Sequence, residues 1–337
     1  MPDFVSIRTV LHGVDVPTLR PGVPSFLGVP LATTAADLEA ADVAIIGVPQ
    51  GAAASPGRDP GEWSDCGRGP ENARRQSMRY TGYLPELDID VFDSLKVVDC
   101  GDAEIPDGDQ ETAIANTAGM VERAVRAGCA VIAVGGAVPT ANYAVARGAA
   151  LATDGTVGTV GLDAHGDAFD TLGGPFGNTK PGPGTWQRRL WEHCQNVDPA
   201  HQVEFGMRGP RNDRQVFDTY REKGVSVYTA RRMREMGVAA ACAEAIPRAT
   251  DGMARTWISL DMDVLDIGAL HDWGDEPLGL SGHDVVEVVH EAARAGADVL
   301  AMQFVAPDSP AAARLAVYIA VYMMAGLVEG GHLPKPR

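Results

Sequence analysis

Two short acidic motifs contain the residues of this chain that are best suited to chemistry. Residues 162–167 read Leu-Asp-Ala-His-Gly-Asp, and residues 259–263 read Ser-Leu-Asp-Met-Asp. Alternate residues of an extended backbone project to one face, so the polar side chains within each motif are expected to converge. Four carboxylates and one imidazole are a suitable ligand set for a divalent cation. The candidate ligands are Asp163, His165, Asp167, Asp261 and Asp263.

Electrostatics supports a metal at these motifs. Carboxylates crowded at one place cannot all remain ionised unless a cation or a basic side chain neutralises them. Neither motif contains Lys or Arg. A single Asp-x-Asp is common at turns and helix N-caps, whereas two such motifs that each follow an apolar run are more specific. We therefore predict a divalent-metal site, hard enough for Mn²⁺ and with a nitrogen ligand that suits Ni²⁺.

The elements that must position these motifs follow from the apolar pattern. Continuous apolar runs are typical of strands covered on both faces, as in a parallel sheet, and ligands bind at the carboxyl ends of such strands. Helical patterns alternate with the runs, which predicts an α/β fold. The predicted strands are 43–46, 96–98, 130–134, 156–162, 203–205, 256–260 and 299–302, and the predicted helices include 111–127, 283–295 and 311–327.

Length and composition favour one large domain. The chain has 337 residues, and no Pro/Gly/Ser-rich linker separates two regimes of composition. We expect an N-terminal extension or arm over residues 1–35 and a single domain over residues 36–330. The apolar run at 315–328 is shorter than the roughly 20 residues of a membrane span, so a buried helix is predicted there.

The formal net charge of −17 disfavours nucleic acid and anionic membranes as partners. It is compatible with a neutral or cationic small substrate. The N-terminus lacks a charged segment followed by an apolar one, so no secretory signal is expected, and a cytoplasmic location is predicted.

The chain resembles the ureohydrolase family, which includes arginase and agmatinase. The two acidic motifs carry the resemblance most specifically, and it extends over most of the sequence. Supporting segments are Gly-Arg-Gly-Pro at 67–70, Val-Val-Asp-Cys-Gly-Asp at 97–102, Phe-Gly-Asn at 176–178 and Val-Ala-Pro at 305–307. The resemblance implies a three-layer α/β/α sandwich around a mostly parallel sheet of about eight strands. It also implies assembly into trimers or hexamers.

The resemblance further implies a centre of two metal ions. Asp163 and Asp261 would bridge the ions, Asp167 would bind one of them, and His165 and Asp263 would complete the other. A water activated by the ions would attack a guanidinium carbon, and urea and an amine would be released. These roles are what the family pattern implies for the matching positions of this chain.

Three departures from the family pattern affect function. The family's Gly-Gly-Asp-His-Ser motif reads Gly-Gly-Ala-Val-Pro at 135–139, so Val138 stands where a histidine would bind the first ion. Pro183 falls at a loop histidine of the family, and Phe304 falls at a glutamate that binds some guanidinium substrates. Valine cannot coordinate a metal, so at most one well-held ion, Mn²⁺ or Ni²⁺, is expected per chain. Its ligands would be Asp163, His165, Asp261 and Asp263.

These losses favour a degenerate subunit with little or no activity alone. The family includes hydrolases of guanidine and of biguanides such as metformin, some of them nickel-dependent, and heteromeric forms combine an active chain with a degenerate one. This chain resembles the degenerate kind, so an active homologous subunit is the expected partner. Two alternatives remain: an active guanidino-compound hydrolase with an altered site, and a ligand-binding or regulatory protein on the same fold.

Loop residues bear on these alternatives. His271 or Asp272 would supply the missing ligand if the loop after the second motif reached the site, although a loop histidine is more often solvated. Trp186 and Trp273 would wall a pocket for a small cation, or, as the stronger expectation, would pack at a subunit interface.

Overall fold

Eight strands form one sheet in the computed structural model, which describes residues 4–51, 67–137, 140–171, 180–269, 276–303, 305 and 309–332. The strands are β1 Val43–Val48, β2 Val97–Asp102, β3 Ala130–Gly135, β4 Val157–Leu162, β5 Val197–Phe205, β6 Ser226–Tyr228, β7 Arg255–Asp261 and β8 Val299–Gln303. Their order across the sheet is β6-β5-β4-β7-β8-β3-β1-β2, and every neighbouring pair is parallel. The predicted parallel sheet of about eight strands is confirmed.

Seven of these strands lie where the apolar runs predict them. β6 was missed, because this edge strand has three residues and only Tyr228 among them is buried. β5 begins at Val197, before the predicted start, because Asp198, Pro199, His201 and Gln202 interrupt the apolar pattern of its first half. Strand centres follow from apolar pattern, whereas strand ends do not.

The helices alternate with the strands along the chain. They are α1 Ile7–His12, α2 Ala35–Ala40, α3 Gly69–Ser77, α4 Val91–Ser94, α5 Gln110–Arg126, α6 Tyr143–Leu151, α7 Trp186–His193, α8 Arg214–Lys223, α9 Ala230–Met236, α10 Val238–Thr250, α11 Gly282–Arg294 and α12 Pro310–Glu329. The three predicted helices correspond to α5, α11 and α12. A capping box begins α11: the Ser281 hydroxyl accepts from the Asp284 backbone N–H, and the Asp284 carboxylate accepts from the Ser281 N–H.

Helices cover both faces of the sheet, which confirms the three-layer sandwich. On one face α10, α11 and α12 pack on side chains such as Ile258 and Leu260 of the central strands. On the other face α5, α6 and α7 pack on alternate residues such as Trp257 and Ala301. Because successive residues of a strand project to opposite faces, both sets must be apolar, and this produces the continuous runs in the sequence.

Helix α12 was predicted to be a buried helix and is one. It is the one described helix that is long and apolar enough, by length and composition, to cross a membrane. Twelve of its residues are nevertheless buried, and it belongs to the same apolar core as α11. Its apolar surface is therefore used inside the fold.

Gly158 of β4 gives a test of the layer packing. A Cβ atom at this position would lie 1.9 Å from the Ala249 carbonyl oxygen of α10, and backbone cannot move aside cheaply. We expect Gly158→Ala to lower the free energy of unfolding by about 1–3 kcal/mol, as overpacking does. Urea unfolding followed by circular dichroism measures the change.

Gly119→Ala in α5 is the matched control. Its added Cβ would meet only the end of the flexible Arg123 side chain, at 3.4 Å. Alanine favours a helix over glycine by up to about 1 kcal/mol, so this variant should be unchanged or more stable. Equal unfolding midpoints for the two variants would contradict the close approach of α10 to β4.

Candidate metal centre

The two acidic motifs lie side by side at the carboxyl edge of the sheet. β4 and β7 are neighbouring parallel strands, and Leu162 pairs with Leu260 in their register. Asp163 and Asp261 directly follow these two leucines, and both carboxylates are buried. Strand register therefore brings the two motifs together at the edge where α/β folds bind ligands.

Beyond the strand ends the backbone turns. The Asp163 carboxylate accepts a hydrogen bond from the His165 backbone N–H at 2.7 Å, and the Asp261 carboxylate accepts one from the Asp263 N–H at 2.8 Å. The Ala164 N–H donates to Asp263 Oδ1 at 3.1 Å and joins the two turns. The expectation of an extended backbone through the motifs was therefore wrong, because these turns, and not strand alternation, orient the side chains.

Three side chains form a compact group of potential ligand atoms. His165 Nδ1 lies 2.9 Å from Asp263 Oδ2 and 3.8 Å from Asp163 Oδ1. One ligand atom from each residue lies within 4.8 Å of the other two. Among the described residues, no other set of three or more His, Cys, Asp and Glu side chains meets this criterion. One imidazole nitrogen and two carboxylate oxygens suit a divalent ion, so these residues fit one.

Protein donors bind the other two carboxylates. Trp186 Nε1 donates to Asp167 Oδ2 at 2.6 Å, and Gln303 Nε2 donates to Asp261 Oδ2 at 2.8 Å. Both donor side chains are buried. The centre therefore has two unlike halves. We name them the histidine half, consisting of Asp163, His165 and Asp263, and the donor half, consisting of Asp167, Asp261, Trp186 and Gln303.

The buried carboxyl groups differ in their pKa values. Burial raises the pKa of Asp163 and Asp261 well above the ordinary value, and neighbouring carboxylates raise both further. Burial raises the pKa of Asp167 to about 6, although the charge of His165 opposes this. Burial also acts to raise the pKa of Asp263, but the hydrogen bond and charge of His165 together outweigh it and lower that pKa. The centre as a whole therefore favours a bound cation.

Two of the three positions where the chain departs from the family pattern lie outside the described residues, and so do three loop residues for which roles were predicted. Pro183 is described, and it lies in an exposed turn directly before α7. The predictions made for the other positions stay predictions. The positions outside the described residues are Val138, His271, Asp272, Trp273 and Phe304.

The predictions for Trp186 were wrong. Its side chain is only 1% exposed, so it neither walls an open pocket nor faces a partner subunit. Its ring lies edge-on to Trp257, with ring centroids 6.0 Å apart. A buried indole N–H requires an acceptor, and Asp167 supplies it. The sequence-based prediction used only the aromatic ring of Trp186 and did not include its indole N–H, which donates to Asp167.

Arg208 was also overlooked, although it joins three segments around the centre. Its guanidinium donates to backbone carbonyls at the end of β5, in the turn after β7 and at residues 276–277. No sequence signal identifies such a residue, because all these acceptors are main-chain atoms. The acceptors are the carbonyl oxygens of Gly206, Asp263, Val264, Leu265, Glu276 and Pro277.

Glu276 is a further acidic residue of the centre. Its Oε1 lies 3.5 Å from His165 Nε2 and 3.5 Å from an Arg211 guanidinium nitrogen, and the side chain is buried. Its sequence signal is an acid that follows the second motif, just beyond the loop residues His271 and Asp272. A carboxylate on the far side of a ligand histidine is the usual way to orient its ring.

A buried polar network lies beneath the donor half. Glu204 of β5 is fully buried, and its carboxyl group accepts hydrogen bonds from the Gln187 and Gln202 amides. The Tyr220 hydroxyl donates to Gln187 Oε1 at 2.6 Å. A Cβ on Gly161 would lie 2.1 Å from Glu204 Oε2, so the glycine of β4 provides the space for this carboxyl group.

The Glu204 carboxyl group makes stability depend on pH. Burial raises its pKa from 4.5 to about 8. Between these values the folded state retains a proton that the unfolded state has released, so the free energy of unfolding falls as the pH rises. We expect Glu204→Gln to make this slope shallower by up to about 1.4 kcal/mol per pH unit. Urea unfolding between pH 5 and pH 8 in EDTA measures the slope.

The exposed Glu235→Gln variant is the control and should keep the slope of the unaltered chain. Parallel slopes for all three proteins would show that Glu204 is ionised in the folded state at neutral pH, contrary to this prediction.

Comparison with known proteins identifies the family. The family model "Arginase family" matches residues 41–326. The chain is 30% identical to guanidinopropionase of Pseudomonas aeruginosa over 298 residues, 86% of each protein. The chain therefore belongs to the arginase family, as its resemblance to ureohydrolases indicated.

Solved structures show the same fold. Formimidoylglutamase of Bacillus subtilis aligns with a TM-score of 0.77 and 22% identity over 92% of this chain and 94% of its own. Formiminoglutamase of Trypanosoma cruzi with Mn²⁺ aligns with a TM-score of 0.74 and 22% identity over 90% of this chain and 98% of its own.

Proposed function

We propose that this protein is an arginase-family subunit that holds one divalent ion in its histidine half and has little or no hydrolytic activity alone. It assembles with an active homologous subunit, in a trimer or hexamer, that hydrolyses C–N bonds of guanidino or biguanide compounds. The observation that carries the proposal is the asymmetry of the centre. The histidine half has converging ligand atoms, whereas the donor half binds its carboxylates to Trp186 and Gln303.

Relatives support the substrate class and the metal. Guanidinopropionase, by its name, acts on a guanidino compound, and the Trypanosoma cruzi enzyme was solved with Mn²⁺. A guanidinium or biguanide cation also suits a centre that carries four buried carboxylates. The mixed nitrogen and oxygen donors of the histidine half are compatible with Mn²⁺ or Ni²⁺.

The residues of the histidine half would hold the ion through His165 Nδ1 and through oxygens of Asp163 and Asp263. Asp261, the fourth ligand predicted from the sequence, belongs in this proposal to the donor half, because Gln303 donates to it. When bound, such an ion lowers the pKa of a water and polarises the substrate. Glu276 Oε1 lies 3.5 Å from the other nitrogen of His165, where it faces the ring without a hydrogen bond, and Arg208 holds the turn that carries Asp263. These residues prepare a binding position, while Val138 removes from the other half a ligand that the family pattern supplies.

Metal content tests the binding position. After equilibrium dialysis against Mn²⁺ or Ni²⁺, elemental analysis of the purified chain should find one equivalent, and Asp263→Asn should lower it to near zero. Asp213→Asn, which alters an N-cap at the start of α8, should retain one equivalent. Two equivalents in the unaltered chain, or full retention in Asp263→Asn, would contradict the proposal.

Turnover tests the role of the subunit. The purified chain with Mn²⁺ or Ni²⁺ should release little urea or amine from guanidino acids, agmatine, guanidine or a biguanide. An affinity-tagged chain recovered from its native source should bring an arginase-family homologue with it, and that complex should be active. Strong turnover by the chain alone that disappears in Asp261→Ala would establish the alternative, an active enzyme with an altered site. Binding without turnover in any assembly would indicate a regulatory protein.

A further inference from the structure

We propose that the Trp186 indole and the Gln303 amide replace the first ion of the family's two-ion centre and keep the donor half free of metal. The inference deepens the proposed function and rests on it, because it explains why the two halves of the centre differ. It begins from two hydrogen bonds, Trp186 Nε1 to Asp167 Oδ2 at 2.6 Å and Gln303 Nε2 to Asp261 Oδ2 at 2.8 Å.

The Trp186 and Gln303 nitrogens that donate to the carboxylates cannot bind a metal ion. An indole N–H and a side-chain NH₂ group only donate hydrogen bonds, and neither nitrogen has a lone pair available for a metal. An imidazole nitrogen can donate in one tautomer and accept or bind a metal in the other. His165 Nδ1, 2.9 Å from Asp263, can therefore become a ligand. The Trp186 and Gln303 nitrogens stabilise their carboxylates only as hydrogen-bond donors.

The side chains of Trp186 and Gln303 are fixed in the core of the fold. Trp186 begins α7, is 1% exposed and packs edge-on against Trp257. Gln303 is fully buried at the end of β8, and it pairs with Asp261 in the register of the parallel strands β7 and β8. Both donors are therefore held by the core of the fold. An ion cannot displace either of them without leaving a buried N–H group without an acceptor.

Carboxylate oxygens of both Asp167 and Asp261 are already used as hydrogen-bond acceptors. Both oxygens of Asp261 accept hydrogen bonds, Oδ1 from the Asp263 backbone N–H and Oδ2 from Gln303. Asp167 has Oδ2 bound to Trp186. Val138 stands in the position of the family's histidine, so the neutral nitrogen ligand of this half is also missing. Both oxygens of Asp263 also accept hydrogen bonds, but one of its donors is the His165 imidazole. The nitrogens that face the donor half therefore do not fit a metal ion, whereas the imidazole of the histidine half does.

A rival role is that Trp186 and Gln303 orient the ligands of a bound ion, as partners behind metal ligands often do. The two roles predict opposite results when the donors are removed. If the donors replace the ion, their removal should allow an ion to bind once a ligand is restored. If they orient an ion, their removal should weaken binding and add none.

The first experiment compares metal content in a background with the histidine restored. Val138→His alone should bind no more Mn²⁺ than the unaltered chain, whereas Val138→His combined with Trp186→Phe and Gln303→Leu should bind one equivalent more. The control combines Val138→His with Trp257→Phe, which removes a buried indole that donates to Thr159. This control should gain no equivalent. Circular dichroism and thermal unfolding check that each variant is folded.

An additional equivalent in Val138→His alone would overturn the inference, as would a folded triple variant that gains none. Both comparisons use differences in bound Mn²⁺ between variants, so they do not depend on how many equivalents the unaltered chain binds. Failure of the proposed function, in contrast, appears as a count other than one in the unaltered chain.

The second experiment uses the unaltered sequence and does not depend on the folding of any variant. In ¹⁵N-tryptophan-labelled protein, the indole N–H signal that is lost in Trp186→Phe should lie downfield, as expected for a short hydrogen bond to a carboxylate. Saturation with diamagnetic Zn²⁺ should leave this signal downfield, because the ion occupies the histidine half and the hydrogen bond to Asp167 remains. Return of the signal to the range of an indole without a carboxylate acceptor, at one equivalent of Zn²⁺, would show that the donor half takes the metal.

Discussion

The pairing of β4 with β7 is the constraint on which the centre depends. Because Leu162 and Leu260 are partners in the register, Asp163 and Asp261 must emerge together at the same buried edge of the sheet. One further acid of its motif follows each of these positions closely in sequence, Asp167 after Asp163 and Asp263 after Asp261. A buried ion that lacks a partner costs several kcal/mol, while the whole fold is stable by only about 5–15 kcal/mol. The surrounding structure must therefore offset the free-energy cost of burying four carboxyl groups.

Different groups stabilise the buried carboxylates in the two halves of the centre. In the histidine half, His165 lowers the pKa of Asp263, and Arg208 places a guanidinium behind the turn that carries this aspartate. In the donor half, neutral N–H groups bind the carboxylates. Beneath them Glu204 lies fully buried, and its raised pKa of about 8 keeps it protonated at neutral pH. Only the histidine half offers a nitrogen that can exchange its hydrogen bond for a metal.

Sequence reasoning predicted the architecture well, because strands buried on both faces must be apolar throughout and stand out as continuous runs. It also selected Asp163, His165 and Asp263, which the structure brings together, because two acidic motifs that each follow a buried strand are more specific than one. It did not predict Arg208, whose acceptors are backbone carbonyls, or Glu276, which the fold brings to His165 from a distant loop. It misjudged Trp186, because the acceptor for an indole N–H is determined by packing and cannot be read from spacing.

The presence of both acidic motifs does not by itself establish that this chain is catalytically active. When a two-ion centre loses one ligand, the remaining carboxylates are still buried, and their charges or protons still have to be accommodated. A fold can stabilise these carboxylates with donor nitrogens that cannot bind metal, as the Trp186 indole and the Gln303 amide nitrogen do for Asp167 and Asp261. The acids then persist as parts of a hydrogen-bonded core. The groups that face these carboxylates therefore bear on the choice between a catalytic and a structural centre as directly as the carboxylates themselves do.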